Sequence, residues 1–236
     1  MASPGRRGPL VHRTVHHAAY LLLGGVVAFF LGNGITQWAW DYYRSSPTPV
    51  YSLLSNYISD LGAIHCGSFS GRYVCSPGHL VFGGFIVLMG LCLLLAAPLL
   101  KTAFAARRSR TIGLGLFGVA GIGAMGVGFF PEDFIPPVHV ASAVLAFAGS
   151  NLAIIVLAFA MMRDTRWDGY RLFSVVCGLV GLVALILLGV RAWGPLEAGG
   201  MERLIVAPVL LWATVVGVHL ARIPTFSAPS VDPTSG

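Results

Sequence analysis

The chain has 236 residues, 56% hydrophobic and only 10% charged, with a mean hydropathy of +0.80 and a formal net charge of +6. Soluble domains carry about 25% charged residues, so this composition excludes the water-soluble globular classes and points to the bilayer. The positive charge calls for no nucleic-acid partner, because its distribution follows a membrane topology.

Residues 1–16 are polar and rich in Pro and Gly and read as a disordered cytoplasmic tail. Six continuously apolar stretches follow: His17–Trp40, His79–Leu100, Thr111–Phe130, Val138–Met162, Leu172–Trp193 and Met201–Ala221. Each is near the roughly 20 residues a helix needs to cross a bilayer, and none alternates as a barrel strand would. The first is too long for a signal-peptide core and has no small-residue cleavage site behind it. Residues 17–222 are therefore expected as one transmembrane domain, and residues 223–236 as a second cytoplasmic tail. The expected fold is an all-α integral membrane protein of six transmembrane helices.

Of 15 Lys and Arg, eleven fall in alternate segments that share one side, leaving Arg44, Arg72, Arg191 and Arg203 on the other with six of the nine acidic residues. Basic loops face the cytoplasm, so both termini are expected inside and the long Asp41–Gly78 loop outside. A multi-pass protein of the plasma membrane follows, and one Lys against 14 Arg suggests a bacterial source. Cys66 and Cys75 lie in that outer loop, where an oxidising compartment permits a disulfide. Cys92 and Cys177 lie inside spans and read as packing residues.

Within the loop, Thr48 can cap a helix that has Pro49 at its first position. From Val50 to Leu61 the apolar residues share one face at helical spacing, opposite Ser52, Asn56, Ser59 and Asp60, and Gly62 ends the pattern. A short amphipathic helix lying on the outer surface is expected there. The third span carries Gly113, Gly115, Gly118, Gly121, Gly123, Gly126 and Gly128. Its GLGLFG string matches a dinucleotide fingerprint in form only, since no strand precedes it; small residues at this density serve close helix packing in lipid.

Polar residues that packing does not explain gather on the outer side. Asp60, His79, Glu132 and His139 are the candidate acid–base or catalytic groups. Asn33, Gln37, Asn56, Ser59, Asp133, Glu202 and Arg203 are the candidate substrate-binding groups, with His65 nearby. Ionisable groups at membrane depth are costly unless paired or hydrated, which makes them functional candidates. Each also has a plainer reading. Asp60 can cap the loop or pair with Arg203. Glu132 and Asp133 can be solvated acids before Pro136 and Pro137. His79 and His139 can be interfacial residues opening their spans, and Glu202 suits a helix N-terminus. Asn151 reads as interhelical glue. His and carboxylates together can also hold a divalent metal without cysteine.

The strings NYISDLG (Asn56–Gly62), FFPED (Phe129–Asp133) followed by His139, and GMER (Gly200–Arg203), set in this order on six spans, resemble the bacterial membrane family known as domain of unknown function 998. The ISD-G element with a later P-E is also distantly similar to the eukaryotic Frag/DRAM/Sfk membrane proteins. The closer resemblance implies the fold and no activity; the distant one suggests membrane lipid as a partner. Three functions are compatible with these residues: a lipid-handling hydrolase or acyl-transfer enzyme at the outer leaflet, a non-catalytic lipid or small-molecule binder or transporter, and a structural partner in a membrane complex. In all three, Arg203 is expected to pair with Asp60, Glu132, Asp133 or Glu202, while Arg72 is expected in the exposed part of the loop.

Overall fold

The computed structural model describes residues 9–44, 49–162 and 164–223. Among these, six long helices run in order: α1 (Pro9–Tyr43), α2 (His79–Leu99), α3 (Arg108–Phe129), α4 (Pro136–Ala160), α5 (Tyr170–Gly189) and α6 (Glu197–Ala221). Each contains a stretch long and apolar enough to span a bilayer. Every helix packs on the next, and α1 closes the ring against α6. At one end His16 Nε2 donates to Ile223 O at 2.8 Å, joining the start of the first span to the end of the last.

Lipid tails are as apolar as side chains, so these helices cohere by close packing and hydrogen bonds instead of by expulsion of water. The glycines of α3 supply that approach. A Cβ on Gly121 would stand 2.7 Å from Gly90 O of α2, and one on Gly123 would stand 2.5 Å from Ala146 N of α4. GLGLFG lies wholly within this helix, which removes the dinucleotide reading. Asn151 is glue as expected: its amide donates to Phe147 O at 2.9 Å and across to Ile205 O of α6 at 3.2 Å. Packed zones result around Leu22, Phe117, Leu157 and Trp212, around Phe29, Trp40, Leu61 and Phe82 under the α1–α2 loop, and, smaller, around Ala184, Met201 and Ile205.

Two expectations need correction. Helix α1 begins at Pro9, ahead of His17, so part of the expected tail is helical. The amphipathic helix does not form. The Thr48 cap lies outside the described residues, residues 53–55 form a turn, and only a four-residue 3₁₀ turn follows, Ser59–Gly62. Asn56 and Asp60 are responsible, because their side chains capture backbone N–H groups that a helix would need. Asn56 Oδ1 accepts from Ser52 N at 3.1 Å and Asp60 Oδ2 from Tyr57 N at 3.1 Å. The expected polar face is buried in consequence, at Asn56, Ser59 and Asp60, while the apolar residues divide: Tyr51, Ile58 and Leu61 are buried and Leu53 and Leu54 are exposed.

The loop continues as a hairpin of β1 (Gly67–Phe69) and β2 (Arg72–Val74), paired antiparallel with Gly67 opposite Val74. Ser70 and Gly71 turn it with φ of 49° and 82°, the left-handed pair whose twist matches a two-residue hairpin. The expected Cys66–Cys75 disulfide closes its base. This hairpin was not among the expected elements, although Ser-Gly midway between two cysteines is a turn signal.

Candidate functional site

The hairpin carries Arg72 inward. Its Nε lies 2.8 Å from both carboxylate oxygens of Asp60, its Nη2 bonds Asp60 Oδ1, and the same Nη2 reaches Glu132 Oε1 at 2.9 Å and Oε2 at 3.0 Å. The guanidinium also lies 4.2 Å from the Tyr57 ring centroid. Ser59 Oγ donates to Glu132 Oε2 at 2.7 Å, and Asn56 Nδ2 donates to Asp60 Oδ2 at 2.8 Å. Asp60 is wholly enclosed and the Arg72 side chain is 14% exposed. One planar cation thus joins the loop to the α3–α4 connection, using the side-on geometry that suits guanidinium to carboxylate. Arg72, expected at the exposed tip, is the central cation of the site.

Burial, and then the hydrogen bond and charge of Asp60, push the Glu132 carboxyl up to about 9 against the pull of Arg72. Burial thus favours the neutral form of the Glu132 carboxyl. For Arg72, burial works against the charge, but its hydrogen bond to Asp60 and the charges of Glu132 and Asp60 hold it above its ordinary value. The sign for stability follows: a carboxyl raised on folding favours the folded state below its unfolded value near 4.5 and loses that contribution as pH rises through about 9. Thermal stability should fall between neutral pH and pH 9.5, by at most about 1.4 kcal/mol per pH unit from this one group. Glu132→Gln keeps the neutral form and should flatten that slope in a melting series; an unchanged slope would assign it to another group.

Arg203 does not pair with a carboxylate among the described residues, contrary to expectation. Its Nη1 donates to Asn56 O at 2.8 Å and Gly199 O at 2.9 Å, and its Nη2 to Tyr51 Oη at 2.5 Å. Burial holds the Tyr51 phenol above its ordinary value despite Arg203, so it stays a neutral hydroxyl and donates onward to Tyr57 O at 2.7 Å. Of the two carbonyls, Asn56 O belongs to the irregular loop, where a continued helix would have satisfied it internally, and Gly199 O to the first turn of α6. Beside it, Glu202 Oε2 accepts the Ile58 N–H. The first turn of α6 also binds the loop through its backbone, Gly199 N and Gly200 N donating to Leu54 O at 2.7 and 3.0 Å.

The remaining candidates separate. Asp133 accepts from Ile64 N at 3.0 Å and His65 N at 2.7 Å, with the His65 ring at 3.0 Å. Burial opposes its charge, yet these donors hold its carboxyl below the ordinary value. His79 sits elsewhere, its Nδ1 3.0 Å from Ser76 O, in a depression beside Trp40, Tyr73 and the disulfide. Asn33 donates to Phe29 O of its own helix at 2.9 Å. Among the described residues no group of three His, Cys, Asp or Glu converges as a metal site. The two carboxylates closest to that role, Asp60 and Glu132, converge on a guanidinium, so the donor set does not fit the divalent metal considered from sequence.

Beneath the loop lies a cavity of about 80 Å³, several times the ~10–15 Å³ that one water needs by this measure. Its wall is apolar, from Phe29, Ile86, Met89, Phe147 and Leu210, and its end nearest the loop holds Ser59, His139 and Glu202. His139 Nδ1 lies 2.8 Å from Phe130 O. A carbonyl only accepts, so Nδ1 carries the proton and Nε2 presents a lone pair. Nε2 and Glu202 Oε1 have no hydrogen-bond donor among the described residues. A crevice of about 440 Å³ between α1 and α6 shares Phe29, Ile58, Val206 and Leu210 with this cavity and carries Asn33, Gln37 and Arg203 at its rim.

These features define a multi-pass membrane protein whose six-helix ring is capped at one end by an ion-paired, disulfide-closed loop. The chain belongs to the family described as Protein of unknown function (DUF998), whose model matches residues 33–219. No curated protein and no solved structure matches it.

Proposed function

We propose that this protein binds a membrane amphiphile, with the apolar tail in the central cavity and a hydrogen-bond-donating head, an alcohol or an amine, beneath the outer loop. The observation that carries this reading is the cavity's division: apolar walls, and at the outer end two acceptors, His139 Nε2 and Glu202 Oε1, without protein donors. Both residues line the cavity, where a ligand hydroxyl or ammonium can donate to these acceptors. The α1–α6 crevice offers a path from the bilayer. Asp60, Arg72 and Glu132 satisfy one another and serve as the lock of the cap.

Lipid extracted from the purified protein and identified by mass spectrometry tests the reading. Wild type should retain an amphiphile with a donor head, and Ala143→Leu, which adds bulk at the cavity wall, should lose most of it. Lipid-free wild type, or equal retention by both, would sink it. The unpartnered His139 Nε2 also supports a second reading, general-base catalysis on the same ligand. His139→Asn keeps a donor for Phe130 O and removes the base. Turnover of bound lipid by wild type but not by this variant would favour the enzyme.

The orientation belongs to the same proposal: a bacterial plasma membrane protein with both termini cytoplasmic and the capped end outside, supported by the distribution of Lys and Arg. Cysteines introduced at Ser68 should react with an impermeant thiol reagent added to intact cells, and one at Ser109 should not. The reverse pattern would invert the topology.

A further inference from the structure

Helices α2 and α3 leave a second cleft at the opposite, basic end, about 430 Å³ in volume, lined by Ala97, Lys101, Arg110, Thr111, Gly115 and Gly118 among others. Arg110 spends one nitrogen on the connection between the helices: Nη1 donates to Lys101 O at 3.2 Å and to Phe104 O at 3.4 Å. Its Nε is buried with no partner. Nε–H with the adjacent Nη2–H forms the side-on fork that grips two oxygens of a phosphate or carboxylate. The first turn of α3 adds to this field, since it holds no acidic residue and its N-cap, Arg107, makes no side-chain capping bond. Orphan N–H groups at such an end favour an anion.

The floor of the cleft suits a tail. Gly115 has nothing within 4 Å of where a Cβ would stand, and at Gly118 the nearest atoms are Leu94 Cδ1 at 3.7 Å and Ala97 Cβ at 3.9 Å. The groove thus leads up to the Arg110 guanidinium, part-exposed as a whole with its Nε unpaired, and to Lys101 beside it.

We infer that the α2–α3 cleft is a binding site for an anionic phospholipid, its phosphate held by Arg110 and Lys101 and one acyl chain laid along Gly115 and Gly118. Basic pockets between spanning helices bind such head groups because charge and apolar depth are offered together. A free phosphate has no use for the groove. The site shares no lining residue with the capped cavity and is independent of the amphiphile proposed there.

Full-length protein in a neutral detergent, titrated with phosphatidylglycerol or phosphatidylcholine and read by native mass spectrometry, tests the site. Wild type should retain phosphatidylglycerol at least about tenfold better, a difference well within the reach of one charge-assisted contact. Gly115→Leu fills the groove without a clash, so its unliganded melting temperature should hold while phosphatidylglycerol retention falls about tenfold. Lys101→Gln, at an exposed position, should lower retention in the same direction. Ala143→Leu, in the other cavity, should leave it unchanged. Equal retention of both lipids by wild type, undiminished retention in Gly115→Leu and Lys101→Gln, or displacement of the lipid by inorganic phosphate alone would each overturn the inference.

Discussion

Arg72→Met should destabilise the folded protein by about 3–5 kcal/mol, the usual cost of removing one partner from a buried ion pair. The substitution keeps an unbranched apolar stem and deletes the guanidinium together with its contact over the Tyr57 ring. Asp60 would stay enclosed with only Asn56 Nδ2 and Tyr57 N as donors, beside a second carboxyl at Glu132. Arg72→Lys should fall between, since an ammonium cannot meet both oxygens of Asp60 side-on and still reach Glu132. Arg203→Met should cost less than Arg72→Met, because the groups it abandons are two carbonyls and a phenol, neutral acceptors worth about 1–3 kcal/mol when left unpaired. Melting curves of the three variants in one detergent give the order directly. Arg203→Met proving the worse of the two would return the centre of the site to Arg203.

Gly199→Ala should be the most damaging single-methyl change in the cap. A Cβ there would overlap Asn56 O and stand 2.7 Å from both Asn56 C and Leu54 O. All three are main-chain atoms of a loop that cannot retreat, since Asn56 is tied to Asp60 and to Tyr73 O. Overpacking costs typically about 1–3 kcal/mol, and rigid backbone on the receiving side places this case at or above the upper end. The neighbouring Gly200→Ala is the control. Its Cβ would meet Leu54 Cδ2 at 3.2 Å and Leu196 Cβ at 3.3 Å, side-chain atoms with room to give, and alanine gains about 1 kcal/mol of helix propensity over glycine. Near-equal melting temperatures for the two variants would mean that the α6 terminus and the loop are not held this closely.

The spans were legible because twenty apolar residues in a row admit few structures, and the disulfide because two cysteines share one outer loop. The cap was legible in composition and not in wiring. Helical spacing from Val50 to Leu61 is genuine, but periodicity counts only where apolar residues fall, and Asn56 and Asp60 decided the backbone by taking its N–H groups. Arg72 was overlooked for a related reason. Strands of three residues are too short to show alternation, so nothing local announced that a hairpin would turn this side chain inward. Arg203 drew attention because it stands within a recognisable string, yet proximity to acids along a motif says little about which carbonyls an irregular loop will leave open.

The wiring of the cap also fixes an order of assembly. The loop between α1 and α2 emerges early in synthesis, but its partners come late: Ile58 bonds Glu202 across 144 residues and Asn56 bonds Arg203 across 147. Until the α3–α4 connection arrives, Asp60 lacks its acidic neighbour; until α6 is inserted, Ile58 N–H and the carbonyls of Leu54 and Asn56 have no protein partners there. The first extramembrane segment to be made is thus the last to dock, and α6 acts as the latch that ends the process. A nascent chain halted after α5 would carry a closed hairpin on an unfastened tether, so a cell inspecting that loop could tell finished copies from unfinished ones.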